Sequence, residues 1–277
     1  MKNVDEMVVN DFGLEWEKFN QSSVSKQELK EIWEKYFSIF PWESLSPDAK
    51  GFDLGCGSGR WAFFVAPNVK ELHCIDPAKE ALSVAEKNLA PYNNCIFHNV
   101  TVDDIPFANN SMDFGYSLGV LHHVPDTVLG IKSCVDKLKP NAPFLLYLYY
   151  ALDNKPFWFR IIWKISDYLR RGISILPSKL KYIVSQIIAI FIYFPLARGS
   201  KIFEKLGFDV TNIPLSFYRN KSLYTMRTDA LDRFGTRLEQ RFTKKEIELM
   251  MLDSGLVKIT FRDDEPYWCA IGYKNDF

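Results

Sequence analysis

The chain has 277 residues, 47% of them hydrophobic, with 34 basic and 34 acidic side chains that cancel to a formal net charge of zero. That size and apolar content support one large α/β domain with an insertion, or two small domains, and exclude a disordered or low-complexity chain. Zero net charge supplies no global field for nucleic acid. The five scattered cysteines (Cys56, Cys74, Cys95, Cys134, Cys269), with no Cys-x-x-Cys pair, fit a reduced cytoplasmic protein better than a disulfide scaffold or a zinc site, so no metal is expected.

The first residues, Met1 to Glu6, lack the apolar core of a signal peptide, and no apolar run is long enough to span a bilayer. Residues 1–50 read as an N-terminal helical cover. Phe12, Trp16 and Phe19 can lie over a ligand or staple the cover down. Ser25-Lys26-Gln27-Glu28 then forms a capping box that opens a helix through Leu29, Ile32, Trp33, Tyr36 and Phe37.

From 51 to 150 strands and helices alternate, the signature of a parallel sheet. In Gly51-Phe52-Asp53-Leu54-Gly55-Cys56-Gly57-Ser58-Gly59-Arg60 a short apolar run ending in an acid precedes three glycines at alternate positions, and Trp61 to Ala66 can start a helix. A strand, a tight glycine turn and a helix N-terminus let backbone N–H groups approach a ligand closely. The dinucleotide fingerprint would place its third glycine at position 60, where Arg60 stands. A second strand, 71–76, ends in Asp76, 21 residues after Gly55 and followed by Pro77 and a helix. An acid at that strand end can bind both hydroxyls of a ribose. Strands at 94–98 and 112–117, a helix capped by Asp126 and a strand at 144–149 complete the run.

The alternation stops at 151 and resumes at 243. Thr243-Lys244-Lys245-Glu246 is a second capping box, its helix stops at Gly255, and strands at 257–261 and 267–273 form an antiparallel hairpin closing one sheet edge. Residues 51–150 and 243–277 thus form one core, and 151–242 is an inserted helical cap.

The spacing Asp53-x-Gly55-x-Gly57-x-Gly59, with Asp76 and the segments Ser111-Met112-Asp113-Phe114 and Leu118-Gly119-Val120-Leu121-His122-His123-Val124-Pro125-Asp126, resembles the class I S-adenosylmethionine-dependent methyltransferases of the small-molecule type. The resemblance covers about 51–150 and 243–277, and the whole-chain pattern looks like methyltransferases of surface-glycan and natural-product pathways. It implies a Rossmann-like, mostly parallel seven-stranded sheet and S-adenosylmethionine as cofactor, leaving S-adenosylhomocysteine as product. The cofactor contacts it implies fall on Asp53, Gly55, Cys56, Gly57, Gly59, Asp76, Pro77, Leu118 and, from the N-terminal cover, Trp16. Val100 to Phe107 matches the family's third-strand loop except that Thr101 stands where the adenine-binding acid is usual. The adenine contact therefore falls to Thr101, Val102 or Asp103.

A hydroxyl acceptor needs a base, and histidine titrates in the right range. His123, and after it His122, are the candidates; the alternative is that one packs against the cofactor or caps the loop. The expected activity is methyl transfer, with O-methylation ahead of C- or N-methylation, to a small molecule or a cell-envelope sugar or lipid intermediate. The rival is a non-catalytic S-adenosylmethionine-binding regulatory or scaffold protein. Nucleic-acid methylation is disfavoured, because Ser117-Leu118-Gly119-Val120 replaces the Asn-Pro-Pro-Tyr type of motif.

The insertion is expected to choose the acceptor. Tyr224, Arg227, Asp229 and Arg233 are its candidate substrate-binding residues, the arginines suiting carboxylate or phosphate; ion pairs within the cap are the other reading. Residues 154–205 carry ten basic side chains against two acidic ones, a local charge of +8. Around apolar helices this suits peripheral contact with an anionic membrane or a lipid-linked phosphate. The competing reading packs those helices as a lid core or a homodimer interface.

Overall fold

The computed structural model describes residues 2–21 and 24–276. They fall into two compact units, one of Met1–Gln21, Leu29–Ala151 and Leu238–Phe277, the other of Ser22–Glu28 and Leu152–Arg237.

The first unit is built on seven strands, β1 (Lys50–Leu54), β2 (Glu71–Ile75), β3 (Cys95–His98), β4 (Phe114–Leu118), β5 (Pro143–Tyr147), β6 (Leu256–Phe261) and β7 (Ala270–Lys274). Their order is β3-β2-β1-β4-β5-β7-β6. β1 to β5 are parallel, and β7 runs antiparallel to both β5 and β6. This is the Rossmann-like sheet with a terminal hairpin that the resemblance implies. The helices are α1 (Glu6–Lys18), α2 (Lys26–Phe37), α3 (Ala62–Val65), α4 (Lys79–Asn88), α5 (Thr127–Lys137) and α10 (Lys244–Asp253). α3 is only four residues long because Pro67 tightens the chain into a 3₁₀ turn directly after it. Asp126 caps α5 by accepting from the Leu129 N–H, and Thr243 and Glu246 close the capping box of α10. Of the other box only half is seen. The Glu28 N–H donates to Ser25 Oγ, while the Glu28 carboxylate accepts from Ser222 and Thr225.

Alternation in β1 sends Phe52 and Leu54 into the core shared with α5 and α10, and leaves Gly51 and Asp53 on the other face. Two glycines make room for aromatics across the β1–β4 pair. A Cβ on Gly51 would stand 2.2 Å from Phe114, and one on Gly115 would stand 2.3 Å from Phe52. Both rings are fully buried and cannot retreat. Gly115→Ala should therefore cost about 1–3 kcal/mol of stability through overpacking, read as a lower chemical-denaturation midpoint with an unchanged slope.

The second unit holds α6 (Phe157–Ser174), α7 (Ser178–Ile188), α8 (Phe194–Lys205) and α9 (Leu223–Gly235). α7 and α8 are one continuous helix, joined through a π-helical turn at Ala189–Tyr193. The expectation that no apolar run is long enough to span a bilayer does not hold for this helix. Pro195 does not break the helix, because the wider turn before it makes room for the ring. The resulting 28-residue helix, Ser178–Lys205, is long and apolar enough to cross a membrane. The unit's core is small: Ala189, Tyr193, Ala197, Met226, Ala230 and Phe234.

Most apolar side chains of α6 and α7 lie outside that core, with only Ile173 and Ile188 packed against it. The buried residues of α6 are Asp167, Arg170 and Ser174, and those of α7 are Lys181, Ser185 and Gln186. Within the unit the polar stripes face inward, Arg170 bonding Asp167 at 2.7 Å and the Thr236 carbonyl at 2.8 Å. Part of the apolar stretch, Ile188, Ala189 and Tyr193, does enter the unit's core, while Ile183, Ile187, Ile190 and Phe191 stay exposed.

Candidate functional site

The glycine turn sits between β1 and α3, where the chain must reverse over the carboxyl end of the sheet. Gly55 and Gly57 hold left-handed φ values of +74° and +54°, a region costly for any residue with a Cβ. A Cβ on Gly55 would meet Val120 at 2.3 Å, and one on Gly57 would meet the Trp16 indole nitrogen at 2.9 Å. Trp16 therefore lies directly on the turn, with the Arg60 guanidinium 5.0 Å above its ring.

The amides of this turn are largely spent inside the protein. Gly55 and Cys56 donate to the Ile75 carbonyl, Gly59 to the Cys56 carbonyl, and Gly57 to Asp76 Oδ2 at 2.9 Å. The sequence suggests amides offered to a ligand; these four instead fix the turn, and the glycines contribute close approach.

Asp76 follows β2 and is held by two backbone donors, Gly57 on Oδ2 and Ala78 on Oδ1, each at 2.9 Å. Burial raises its pKa to about 6, against the lowering effect of those two N–H groups. Pro77 continues the same bend, and the Asn99 side chain donates to the carbonyls of both Asp76 and Pro77. Asn99 was not singled out from sequence, and a lone asparagine after a strand gives little signal.

Asp53 is placed differently from Asp76. It pairs in register with Cys74 on β2 and Tyr116 on β4, beneath the turn and buried. Burial raises its carboxyl to about 8, partly offset by Tyr116. At neutral pH it is largely protonated, and Oδ2 meets no partner of good geometry. Cys56 is buried beside it, and Leu118 ends β4 in the same core.

Thr101 caps a 3₁₀ turn over Val102–Asp104, with Val102 buried. The Thr101 hydroxyl donates to Asp104, and the Asp103 carboxylate accepts from the Asn3 amide. Asn3 also exchanges two side-chain hydrogen bonds with the Asp126 backbone at 2.7 Å each, tying the N-terminal segment to this loop.

His122 and His123 occupy a 3₁₀ turn after β4, and both are buried. His122 stacks on Tyr149 with ring centroids 3.8 Å apart, and neither ring nitrogen meets a hydrogen-bond partner. Burial, then His123 and Arg241, push its pKa far below the ordinary value, so it stays neutral. His123 Nδ1 lies 2.6 Å from the Leu238 carbonyl. A carbonyl can only accept, so Nδ1 carries the proton and Nε2 the lone pair. Gln240 clamps the same turn by donating to the His122 carbonyl. Leu238, Gln240 and Tyr149 escaped the sequence reading, since backbone carbonyls and ring stacking leave no motif.

Phe12 and Trp16 connect these two places. Phe12 packs on His123 with centroids 5.0 Å apart, while Trp16 covers Gly57. Residues four apart on a helix lie on one face, about 5–6 Å from each other. One face of α1 thus covers both the glycine turn and His123.

Tyr224, Arg227, Asp229 and Arg233 all lie on α9 in the second unit. Arg227 bonds Gln186 Oε1 and, at 3.1 Å, the Tyr182 hydroxyl. Arg233 bonds Ser166 Oγ at 2.9 Å and lies over the Trp163 ring. The Tyr224 carbonyl accepts from Thr228 within the helix. Both arginines thus spend donors on neighbouring helices of their own unit. Among the described residues no group of histidines, cysteines and acids could hold a metal ion.

Comparison with known proteins agrees with this architecture. Residues 52–146 match the family described as a methyltransferase domain. The chain is 31% identical over 107 residues to the uncharacterized methyltransferase YcgJ of Bacillus subtilis, covering 37% of this chain and 41% of that one. It is 31% identical over 114 residues to a tRNA U34 carboxymethyltransferase of Aliarcobacter butzleri (40% and 37% covered). It is 28% identical over 127 residues to a ubiquinone biosynthesis O-methyltransferase of Xanthomonas campestris (45% and 52% covered). The chain thus spans about two fifths to one half of the length of these curated relatives. In fold it is similar to a chain from the complex of the Trm112 methyltransferase activator with a methyltransferase of Haloferax volcanii, at a TM-score of 0.57, 12% identity and 98% of both chains covered.

S-adenosylmethionine is the cofactor this domain implies, and the turn fits it: two glycines with no room for a side chain, beside a buried carboxylate fixed at the end of β2. Residues 52–146 thus carry a methyltransferase domain, set in a seven-stranded sheet of the Rossmann-like kind that the resemblance to class I S-adenosylmethionine-dependent methyltransferases implies.

Proposed function

We propose that the protein transfers a methyl group from S-adenosylmethionine to the hydroxyl of a small molecule or of a cell-envelope sugar or lipid intermediate. The observation carrying this reading is the single face of α1 that covers the glycine turn through Trp16 and His123 through Phe12. Bound at the turn, S-adenosylmethionine supplies an electrophilic methyl group on a sulfonium sulfur. Asp76 binds its ribose hydroxyls with the lone pairs left over from Gly57 and Ala78. Gly55, Gly57 and Gly59 give it close approach, and Thr101, Val102 or Asp103 meets the adenine. The aromatic side chains of α1 exclude water from the reacting groups.

His123 accepts the acceptor hydroxyl's proton on Nε2, while the Leu238 carbonyl holds the Nδ1 proton and keeps the ring oriented. His122, neutral and stacked on Tyr149, supports that ring from behind. Tyr224, Arg227, Asp229 and Arg233 remain our proposed acceptor contacts. Five free thiols among the described residues accord with a reducing, cytoplasmic setting.

The test is release of S-adenosylhomocysteine from S-adenosylmethionine with a panel of hydroxylated sugars, phenols and lipid intermediates. Acceptor-dependent release above the blank supports transfer. Tight cofactor binding without release on any member would favour the non-catalytic binding protein.

Cofactor affinity should also depend on pH through Asp76. A carboxylate accepts both ribose hydroxyls and a carboxylic acid does not, so affinity rises with pH through about 6 and then levels off. One pH unit below that value, affinity should be about tenfold weaker than on the plateau. Asp76→Asn should bind weakly at every pH with no such slope. Calorimetric titration between pH 5 and 8 checks both.

A further inference from the structure

The structure assigns the second unit a lipid-facing surface: we propose that the outward apolar faces of α6 and of the α7–α8 helix dock on the surface of an anionic bilayer. This goes beyond the proposed methyl transfer and does not depend on it.

Helices α6 and α7 are inverted relative to those of an ordinary soluble domain, which keep their apolar stripe inside. Along α6 the buried positions Asp167, Arg170 and Ser174 recur every three or four residues, so they form one stripe. Opposite them Ile161, Ile162, Ile165 and Leu169 are open to solvent, the last two at 60% and 62%. In the next helix Lys181, Ser185 and Gln186 are buried while Ile183 and Ile187 are exposed, and Phe191 in the π turn is 72% exposed. Twenty of the twenty-seven large apolar side chains exposed among the described residues fall between 157 and 208. A surface of this kind marks an interaction site.

Charge selects the occupant. Residues 154–205 carry the +8 excess, with Arg160, Lys164, Arg171, Lys179 and Lys205 exposed. Its two acids are neutralised, Asp167 by Arg170 and Arg171 and Glu204 by Arg219. Basic side chains around an apolar helix face match acyl chains beneath anionic headgroups. A second copy would instead bring like charge against like charge. Trp158 and Tyr168, 48% and 82% exposed, are the residue types that settle at the headgroup level. The polar stripes of α6 and α7 are engaged by hydrogen bonds to the 227–237 segment, including Arg170 to Thr236 and Gln186 to Arg227. That covered side makes the helices lie in the plane of the bilayer surface; they do not span it.

Flotation of the full chain with vesicles of phosphatidylcholine, with and without one third phosphatidylglycerol, tests this. We expect the protein to float with anionic vesicles at low salt, to bind neutral vesicles at least tenfold less, and to be released by salt. Ile165→Glu with Leu169→Glu, both solvent-facing, should lower anionic-vesicle partitioning at least tenfold while leaving the thermal midpoint and the heat of S-adenosylmethionine binding unchanged. Lys164→Glu should weaken only the salt-sensitive part. No flotation of the wild type, equal binding to neutral vesicles, or an unaltered double variant would overturn the proposal. So would a vesicle-free dimer that the double variant turns into a monomer. Absence of methyl transfer would bear on the proposed activity alone.

Discussion

Replacing His123 with alanine is expected to lower methyl transfer to a hydroxyl acceptor by about 10²–10⁴-fold, the usual contribution of a positioned general base. Its Nε2 holds the lone pair only because Nδ1 is committed to the Leu238 carbonyl at 2.6 Å. Alanine also removes the ring on which Phe12 packs, so His123→Asn is the sharper variant. Its amide can still donate to Leu238 but cannot take a proton near neutral pH. Turnover should fall in both variants while the heat of cofactor binding persists. Wild-type turnover in His123→Asn would remove histidine from the proton transfer and leave alignment as its role. The same measurement on His122→Asn separates the pair. His122 is already kept neutral by burial, so its loss should act through packing on Tyr149 and appear as lowered stability.

The second large effect is expected at Gly55. Valine there must adopt a φ of +74° and place its Cβ 2.3 Å from Val120. Left-handed strain costs about 1–2 kcal/mol and overpacking about 1–3 kcal/mol, so Gly55→Val should lose about 2–5 kcal/mol of stability. Cofactor binding should fall at least tenfold, because the Gly55 and Cys56 amides that anchor the turn to Ile75 would shift with it. Pairing the substitution with Val120→Ala should return the steric share and leave the strain. Full recovery in the double variant would show that the left-handed turn does not matter. Thermal melts and calorimetry on the two variants decide this.

The core of the fold was legible because its signals are local. Asp126 and Thr243 announce helix starts, Gly255 a stop, and the alternation from 51 to 150 a parallel sheet. The glycine turn and Asp76 were legible for the same reason: spacing along the chain fixes their meeting, seen as the Gly57 to Asp76 hydrogen bond. The fate of the turn's amides was not legible, since Ile75 accepts two of them from a neighbouring strand. Nor was the orientation of His123, which depends on a backbone carbonyl 115 residues away. In the insertion, charge and apolar content along the chain could not show which face of α6 turns inward. Arg170 and Asp167 pair with each other and reach Thr236, so there the polar stripe takes the inside.

The most direct test is calorimetric titration of the purified chain with S-adenosylmethionine, S-adenosylhomocysteine and NAD. Saturable heat with the first two, lost in Asp76→Ala, and none with NAD is the expected result. Tight binding of NAD with no heat from either adenosyl ligand would contradict the account at its root.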